Sequence, residues 1–184
     1  MDWINNFNLA KEESQKLRKP ILLQFEMEGC GGCKKLYDET YSNPDVQREM
    51  NEWFISLKLD LIKDREIRRE YSGYWTPSFY FLDYRGKSYL NFNGFLPAEE
   101  FRILLRLGYS ELMIPHGKYD DAIRIMSYEI DSLKNSILYP KLLLQIAVAK
   151  YIKTKDKNSF MISLKEIKEK YPNSLESRMY FWEE

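Results

Sequence analysis

The segment ILLQFEMEGCGGCKKL, residues 21–36, joins a short apolar run to a glycine-rich turn that holds both cysteines of the 184-residue chain. The apolar run at 21–25 has no helical periodicity, which predicts a buried β-strand. Residues 34–41 have helical character. Three glycines mark the turn between them: Gly29, Gly31 and Gly32. The segment therefore predicts a strand, a sharp turn and a helix, with Cys30 and Cys33 at the start of that helix.

A cysteine pair at a strand-to-helix turn is suited to redox chemistry. The N-terminus of a helix presents unpaired N–H groups and a partial positive charge, which favour a thiolate on Cys30. Cys33 lies one helical turn further on, where its thiol can attack a mixed disulfide formed on Cys30. Because the chain has no other cysteine, a framework of structural disulfides is impossible. The sequence predicts Cys30-Gly31-Gly32-Cys33 as a reactive pair.

Two other interpretations of the cysteines stay open at this point. A zinc site needs four ligands, and the chain adds only one histidine, His116, to the two cysteines. A zinc ion or an iron–sulfur cluster would then need carboxylates or a second chain, so we predict no metal. In the remaining interpretation the two cysteines are inert.

The first 108 residues alternate between strand and helix patterns. Strand patterns recur at residues 54–60, 78–82 and 87–92, and Gly86 lies in the turn of the last pair. Helix signals occur before Pro20, after Asn43-Pro44, at 63–71 and at 97–107. This order predicts an α/β fold with a mixed sheet flanked by helices.

The strand patterns stop after Gly108. Helices are predicted at residues 119–135, 138–153 and 159–170, and Ser174 is a candidate cap for another. The sequence thus predicts two domains, an α/β domain at 1–108 and an all-helical extension at 109–184.

Charge and hydropathy exclude some classes of function. The 28 basic residues balance the 28 acidic residues, so net charge does not favour nucleic-acid binding. No apolar stretch is long enough to predict a membrane span. The N-terminus lacks the apolar core of a secretory signal, which predicts a cytoplasmic location if Met1 is the native start.

Three quoted segments resemble the thioredoxin-like superfamily. ILLQFEMEGCGGCKKL resembles its active-site strand, turn and helix; NPDVQREMNEWFISLKLDL, residues 43–61, and YWTPSFYFLDYRGKSYLNFNGFLPAEEF, residues 74–101, resemble segments that follow in a bacterial branch. The resemblance covers residues 3–108. It implies that Cys30 attacks, that Cys33 resolves, that Pro77 is cis beside them, and that the backbone of Thr76 pairs with an extended substrate. Lys34 matches a basic residue after the second cysteine.

The sequence departs from the family pattern at three places. Gly29 replaces a tryptophan, Gln24 replaces a buried acid, and Gly31-Gly32 lacks the proline or histidine of better-known members. Because Gln24 cannot accept a proton, an internal base must be another group, and Glu26 and Glu28 are candidates. Trp75 is a candidate for the missing aromatic surface; the alternative is that it is a packed loop aromatic.

The tail is similar to a helical hairpin of tetratricopeptide type. GKYDDAIRIM, residues 117–126, and KEIKEKYPNS, residues 165–174, resemble second helices of such units. Helix pairs of this kind form concave surfaces for partners. The tail is predicted either to bind a protein partner or to cap the sheet domain.

Together these features predict a cytoplasmic thiol–disulfide oxidoreductase that acts as a reductant, because the cytosol keeps such a pair as a dithiol. Its partners would be protein or small disulfide substrates and an electron-donating reductase, with no cofactor beyond the Cys30–Cys33 pair and no nucleic acid or membrane. The alternative is a non-catalytic binding or scaffold protein that uses the helical tail.

Overall fold

A computed structural model describes residues 2–179 of the chain. The first part contains these elements: α1 (Phe7–Leu17), β1 (Ile21–Glu26), α2 (Gly31–Lys35), α3 (Pro44–Trp53), β2 (Ile55–Asp60), α4 (Arg65–Glu70), β3 (Ser78–Leu82), β4 (Ser88–Asn93) and α5 (Ala98–Met113). The tail contains α6 (Tyr119–Ser127), α7 (Tyr139–Thr154), α8 (Lys157–Lys170) and α9 (Glu176–Met179).

The sheet has the strand order β2-β1-β3-β4. β1 pairs with β2 in parallel, whereas β3 is antiparallel to both β1 and β4. The predicted mixed sheet with flanking helices is therefore confirmed, and the fold is thioredoxin-like. One strand pairing was not predicted from the sequence: Ile4 forms a β-bridge with Leu57 on the outer edge of β2.

The central strands lie in the core because both of their faces are covered. The first five residues of β1 are all buried, the polar Gln24 among them, and every residue of β3 is buried, as strands covered on both faces require. Aromatic rings fill one face, with Phe79 5.1 Å from Phe101 and Phe54 5.6 Å from Phe81 between ring centroids. The end of β1 that leads to the cysteines is thus held on a rigid sheet.

Helix starts follow the capping residues of the sequence. The Asn43 side chain accepts hydrogen bonds from the N–H groups of Asp45 and Val46, and Pro44 occupies the first turn of α3, so the helix start that Asn43-Pro44 predicts is confirmed. Pro140 likewise lies in the first turn of α7.

Three predicted helix bounds are wrong. The helix predicted at 34–41 begins at Gly31, and beyond Lys35 it widens into a π-helical stretch at Leu36–Thr40. α5 continues through Gly108 to Met113, because this glycine allows close packing rather than ending the helix. The helix predicted at 119–135 ends at Ser127; Glu129 has a φ of 47°, and a 3₁₀ turn follows.

The chain divides into two compact units after Leu112, four residues beyond the predicted boundary at 108. The second unit is helical, as predicted, and in it α7 packs against both α6 and α8. Its buried residues include Ala122, Ile125, Leu142 and Ala149. The tetratricopeptide-like assignment of this unit stays a prediction.

Candidate functional site

The turn after β1 positions Cys30 at the N-terminus of α2. Gly29 has a φ of 75°, a left-handed conformation that favours glycine over the tryptophan of the family pattern. Cys30 is the N-cap residue, and its Sγ accepts a hydrogen bond of 3.1 Å from the N–H of Cys33. One N–H group of the first helical turn, that of Cys33, therefore points at the Cys30 sulfur.

The two cysteines form a disulfide with their Cα atoms 5.3 Å apart. Their surroundings differ: Cys30 is partly exposed, whereas Cys33 is buried with 5% of its surface accessible. A partner thiol can therefore reach Cys30 from solvent, while Cys33 lies behind it.

Pro77 lies directly against the cysteine turn. The Thr76–Pro77 peptide bond is cis, the isomer that the resemblance implies. A Cβ added to Gly32 would lie only 2.9 Å from Cδ of Pro77, which measures how closely the two backbones approach. Pro77 is buried and Thr76 partly buried, and the Pro77 carbonyl accepts a hydrogen bond from the N–H of Gly94.

Trp75 precedes this pair with 57% of its surface exposed. The alternative interpretation, a packed loop aromatic, is therefore wrong. Its neighbour Tyr74 is exposed as well, at 76%. Neither ring lines the cavity described next, so a role for Trp75 in substrate contact stays a prediction.

A cavity of about 550 Å³ opens beside the cysteines. It brings together several predicted site residues, namely Cys30, Cys33, Gly31, Lys34 and Glu26, and also Glu28. The sequence had not singled out three other residues that line it: Met27, Tyr37 and Asp60. Both cysteines therefore border the cavity, and Cys30 is the more exposed of the two.

Glu26 belongs to a hydrogen-bonded cluster in the wall of this cavity. The Tyr37 hydroxyl donates to Oε2 of Glu26 at 2.9 Å, and Nζ of Lys58 donates to the Tyr37 oxygen at 2.9 Å. Nζ of Lys58 also lies 3.5 Å from Oε1 of Glu26. We call these three side chains the Glu26–Tyr37–Lys58 cluster.

The cluster shifts two pKa values upward. Burial raises the pKa of Tyr37, and the charge of Glu26 adds to this effect against the opposing hydrogen bond from Lys58. Burial lowers the pKa of Lys58, but its interactions with Tyr37 and Glu26 outweigh that effect, so the pKa is raised overall. Both groups therefore keep their protons at neutral pH.

Gln24, which replaces the buried acid of the family pattern, is fully buried and carries an uncharged amide. Oε1 of Gln24 accepts a hydrogen bond from the Tyr41 hydroxyl, whose pKa burial raises well above its usual value. Nε2 of Gln24 has no hydrogen-bond partner among the described residues. Gln24 is opposite Lys58 in the parallel pairing of β1 and β2, yet the Lys58 ammonium reaches Glu26 instead.

Sequence reasoning missed Tyr37, Tyr41 and Lys58. Tyr37 and Tyr41 follow Cys33 at intervals of four residues, and their rings pack edge to face at 5.4 Å. That helical spacing was a usable signal. The contact of Lys58 depends on strand register, which the sequence alone did not provide.

Within residues 2–179, no group of three or more His, Cys, Asp or Glu side chains is placed to hold a metal ion. Over the same part of the chain, none of the helices has the length and apolar character needed to cross a bilayer.

A mixed sheet with a C-x-x-C turn at the end of its first strand and a cis-proline against that turn defines a thioredoxin-fold protein. Residues 7–108 match the model of the thioredoxin-like domain family. This match covers more than half of the chain, which therefore belongs to the thioredoxin-like domain family.

The protein named thiol:disulfide interchange protein DsbD from Campylobacter jejuni is 30% identical over 103 residues, which make up 54% of this chain and 18% of that protein. The match thus spans less than a fifth of the relative. The solution structure of a thioredoxin from Thermus thermophilus superposes with a TM-score of 0.53 at 23% identity and covers 58% of this chain and 85% of the thioredoxin. A structure called DsbH oxidoreductase superposes with a TM-score of 0.53 at 18% identity, and the match covers 59% of this chain and 84% of that structure. Both structures show a shared fold.

Proposed function

We propose that this chain is a thiol–disulfide oxidoreductase in which Cys30 attacks and Cys33 resolves. The observation that carries the proposal is the asymmetry of the pair: Cys30 is accessible and caps a helix N-terminus, while Cys33 is buried behind it. The helix N-terminus stabilises the Cys30 thiolate, which is the attacking form. The relative named for thiol–disulfide interchange supports the same chemistry.

The exchange takes two steps. The Cys30 thiolate attacks a substrate disulfide and releases one substrate thiolate, leaving a mixed disulfide. Cys33 then loses its proton and attacks Sγ of Cys30, which releases the second substrate thiolate and forms the Cys30–Cys33 disulfide. The substrate gains two electrons and the protein loses two, which an electron-donating reductase would restore. We propose that the Thr76 backbone and the exposed Trp75 ring contact the substrate beside Pro77.

The finer proposal is that the protein acts as a reductase in the cytoplasm on protein or small disulfides. It rests on the reducing poise of the cytosol and on Gly31-Gly32, which brings no charged or imidazole side chain to the Cys30 thiolate. Measuring the reduction potential of the Cys30–Cys33 pair against glutathione tests whether the protein reduces its substrates or oxidises them. A value well above the cytosolic glutathione poise would contradict the reductase proposal.

Alkylation and trapping test the chemistry itself. In the reduced protein, iodoacetamide should label Cys30 well before Cys33, and Cys30→Ser should abolish the reduction of a small disulfide. Cys33→Ser should instead accumulate mixed disulfides on Cys30, which identify the substrates. Equal labelling rates would contradict the assigned roles. A wild-type protein that reduces no disulfide would favour the scaffold alternative.

A further inference from the structure

Three sulfur-containing side chains border the cavity at the end of β1. Met27, Cys30 and Cys33 all line it, and they follow one another at intervals of three residues. Met27 is 39% exposed, so its thioether is accessible from solvent. The proposed exchange uses the two cysteine sulfurs and gives the methionine sulfur no role.

The backbone brings these three residues close together. The N–H of Cys30 donates to the Met27 carbonyl at 3.3 Å, and a turn closed in this way keeps the two Cα atoms within about 7 Å of each other. The Cα atoms of Cys30 and Cys33 are 5.3 Å apart. Because a methionine side chain is unbranched and flexible, its sulfur can approach both cysteine sulfurs without a change in the backbone.

We propose that the reduced protein binds one Cu(I) ion through the Cys30 and Cys33 thiolates and the Met27 thioether. Soft thiolate and thioether ligands select Cu(I), whereas carboxylate, carbonyl and water oxygens suit harder ions. Structural zinc sites need four ligands, but Cu(I) is stable with two or three. The three sulfur atoms of the cavity therefore complete a Cu(I) site and do not complete a zinc site.

Two of the carboxylates that line the cavity are held by other groups. Tyr37 and Lys58 engage the two oxygens of Glu26, and backbone N–H groups donate to Oδ1 of Asp60. The sulfur atoms are thus the ligands that remain for a soft ion. Two thiolates leave a single negative charge on bound Cu(I), and Lys34 lines the same cavity with a charge that offsets it.

Binding replaces protons by copper without electron transfer. The Cys30 and Cys33 thiols each lose a proton, and the ion that takes their place stays Cu(I). The disulfide must first be reduced, and its two electrons and two protons come from the electron-donating reductase of the proposed exchange, or from dithiothreitol in vitro. A disulfide substrate that oxidises the pair removes both thiolates and releases the ion. The redox state of the cysteines therefore controls whether copper is held.

Competition with a coloured chelator tests the site. Reduced full-length protein, freed of dithiothreitol under argon, is titrated into the Cu(I) complex of bicinchoninate, and the loss of colour measures the copper that the protein takes. The wild type should bind one Cu(I) per chain. Met27→Leu keeps the size and apolar character of the side chain but removes the sulfur, and it should weaken Cu(I) binding about tenfold or more.

Three controls locate the copper on these sulfur atoms. Met179→Leu is the matched variant, because Met179 is 52% exposed against 39% for Met27 and lies in the helical tail, and it should bind Cu(I) as the wild type does. Cys30→Ser and Cys33→Ser should each leave the copper with the chelator. The oxidised wild type keeps Met27 but has no thiolate, so it should also take none.

The copper site is wrong if the reduced wild type takes no copper, if the oxidised form binds equally well, or if Met27→Leu binds as tightly as the wild type. A copper-dependent dimer in size-exclusion chromatography, with one ion for two chains, would overturn it as well. If Met27→Leu does not fold, X-ray absorption on the copper-loaded wild type decides, because three sulfur ligands are expected rather than two. The exchange is measured separately: a copper-free wild type that reduces no disulfide refutes the proposed function and leaves the copper site standing.

Discussion

Gly31 and Gly32 are neighbours in sequence but differ in the space around them. A Cβ on Gly31 meets nothing within 4 Å, whereas one on Gly32 would meet the Pro77 ring at 2.9 Å. We expect Gly32→Ala to lower the free energy of unfolding by about 1–3 kcal/mol and to slow disulfide exchange. Gly31→Ala should be neutral or stabilising by up to about 1 kcal/mol. Urea denaturation and the exchange rate measure both, and equal effects of the two variants would contradict the close approach of Pro77.

At the scale of single residues, the sequence alone was enough to predict site residues of a rare and reactive type. The roles proposed for Cys30 and Cys33 follow from two cysteines placed before a helix. The Glu26–Tyr37–Lys58 cluster could not be found in the same way, because glutamate, tyrosine and lysine are common on protein surfaces. Only the pairing of β1 with β2, together with the π-helical stretch, brings these three side chains together.

At the scale of elements, α3 and α5 are joined by buried charges. Arg102 and Arg106 on α5 are both buried, and both donate hydrogen bonds to the Glu49 carboxylate on α3 at 2.6–2.9 Å. The Arg106 guanidinium also lies 5.0 Å from the centre of the Trp53 ring. The sequence predicted both segments as helices, but helical periodicity gave no sign that charges lie buried on them.

Removing the Glu49 charge should therefore be costly. Glu49→Gln leaves two buried guanidinium groups without their shared counter-charge, and we expect the free energy of unfolding to fall by about 3–5 kcal/mol. Glu52→Gln is the control on the same helix, since Glu52 is exposed and should change stability by less than about 0.5 kcal/mol. Urea denaturation compares them. Similar midpoints for the two variants would show that the buried carboxylate does not hold the helices together.

Close packing of α5 on the sheet depends on Gly108. A Cβ at this position would lie 2.1 Å from Cδ1 of Phe81 on β3, so the helix backbone rests directly on the ring. Gly108→Ala should destabilise by about 1–3 kcal/mol or more. Phe81→Leu removes the clash, so in the double variant the alanine should cost less than it does alone. Additive losses in the thermodynamic cycle would show that the Gly108–Phe81 contact is not the cause.

At the scale of the whole molecule, the order of elements predicted the mixed sheet, because short apolar strands alternating with amphipathic helices allow few other arrangements. Its domain boundary fell inside α5, because a glycine near the end of a helical pattern commonly ends a helix. Here Gly108 is in mid-helix, where the absence of a side chain serves packing. The tendency of glycine to end helices was overridden by the packing of Gly108 on Phe81, a tertiary contact that cannot be predicted from the sequence alone.

The extension of α5 beyond residue 108 decides where the chain should be truncated to test the disulfide exchange without the helical tail. All residues proposed for the exchange lie between Gln24 and Pro77, in the first unit, so a fragment 1–117 that keeps all of α5 should fold. It should reduce a small disulfide at a rate within about twofold of the full chain, and Cys30→Ser in the fragment should abolish that rate. A fragment 1–108 ends inside α5 and loses the buried Ser110 and Leu112, so its melting temperature should be lower. Thermal unfolding followed by circular dichroism and the rate on a small disulfide measure both fragments. If fragment 1–117 folds but is inactive, the tail completes the active site, and the functional boundary is not at the end of α5.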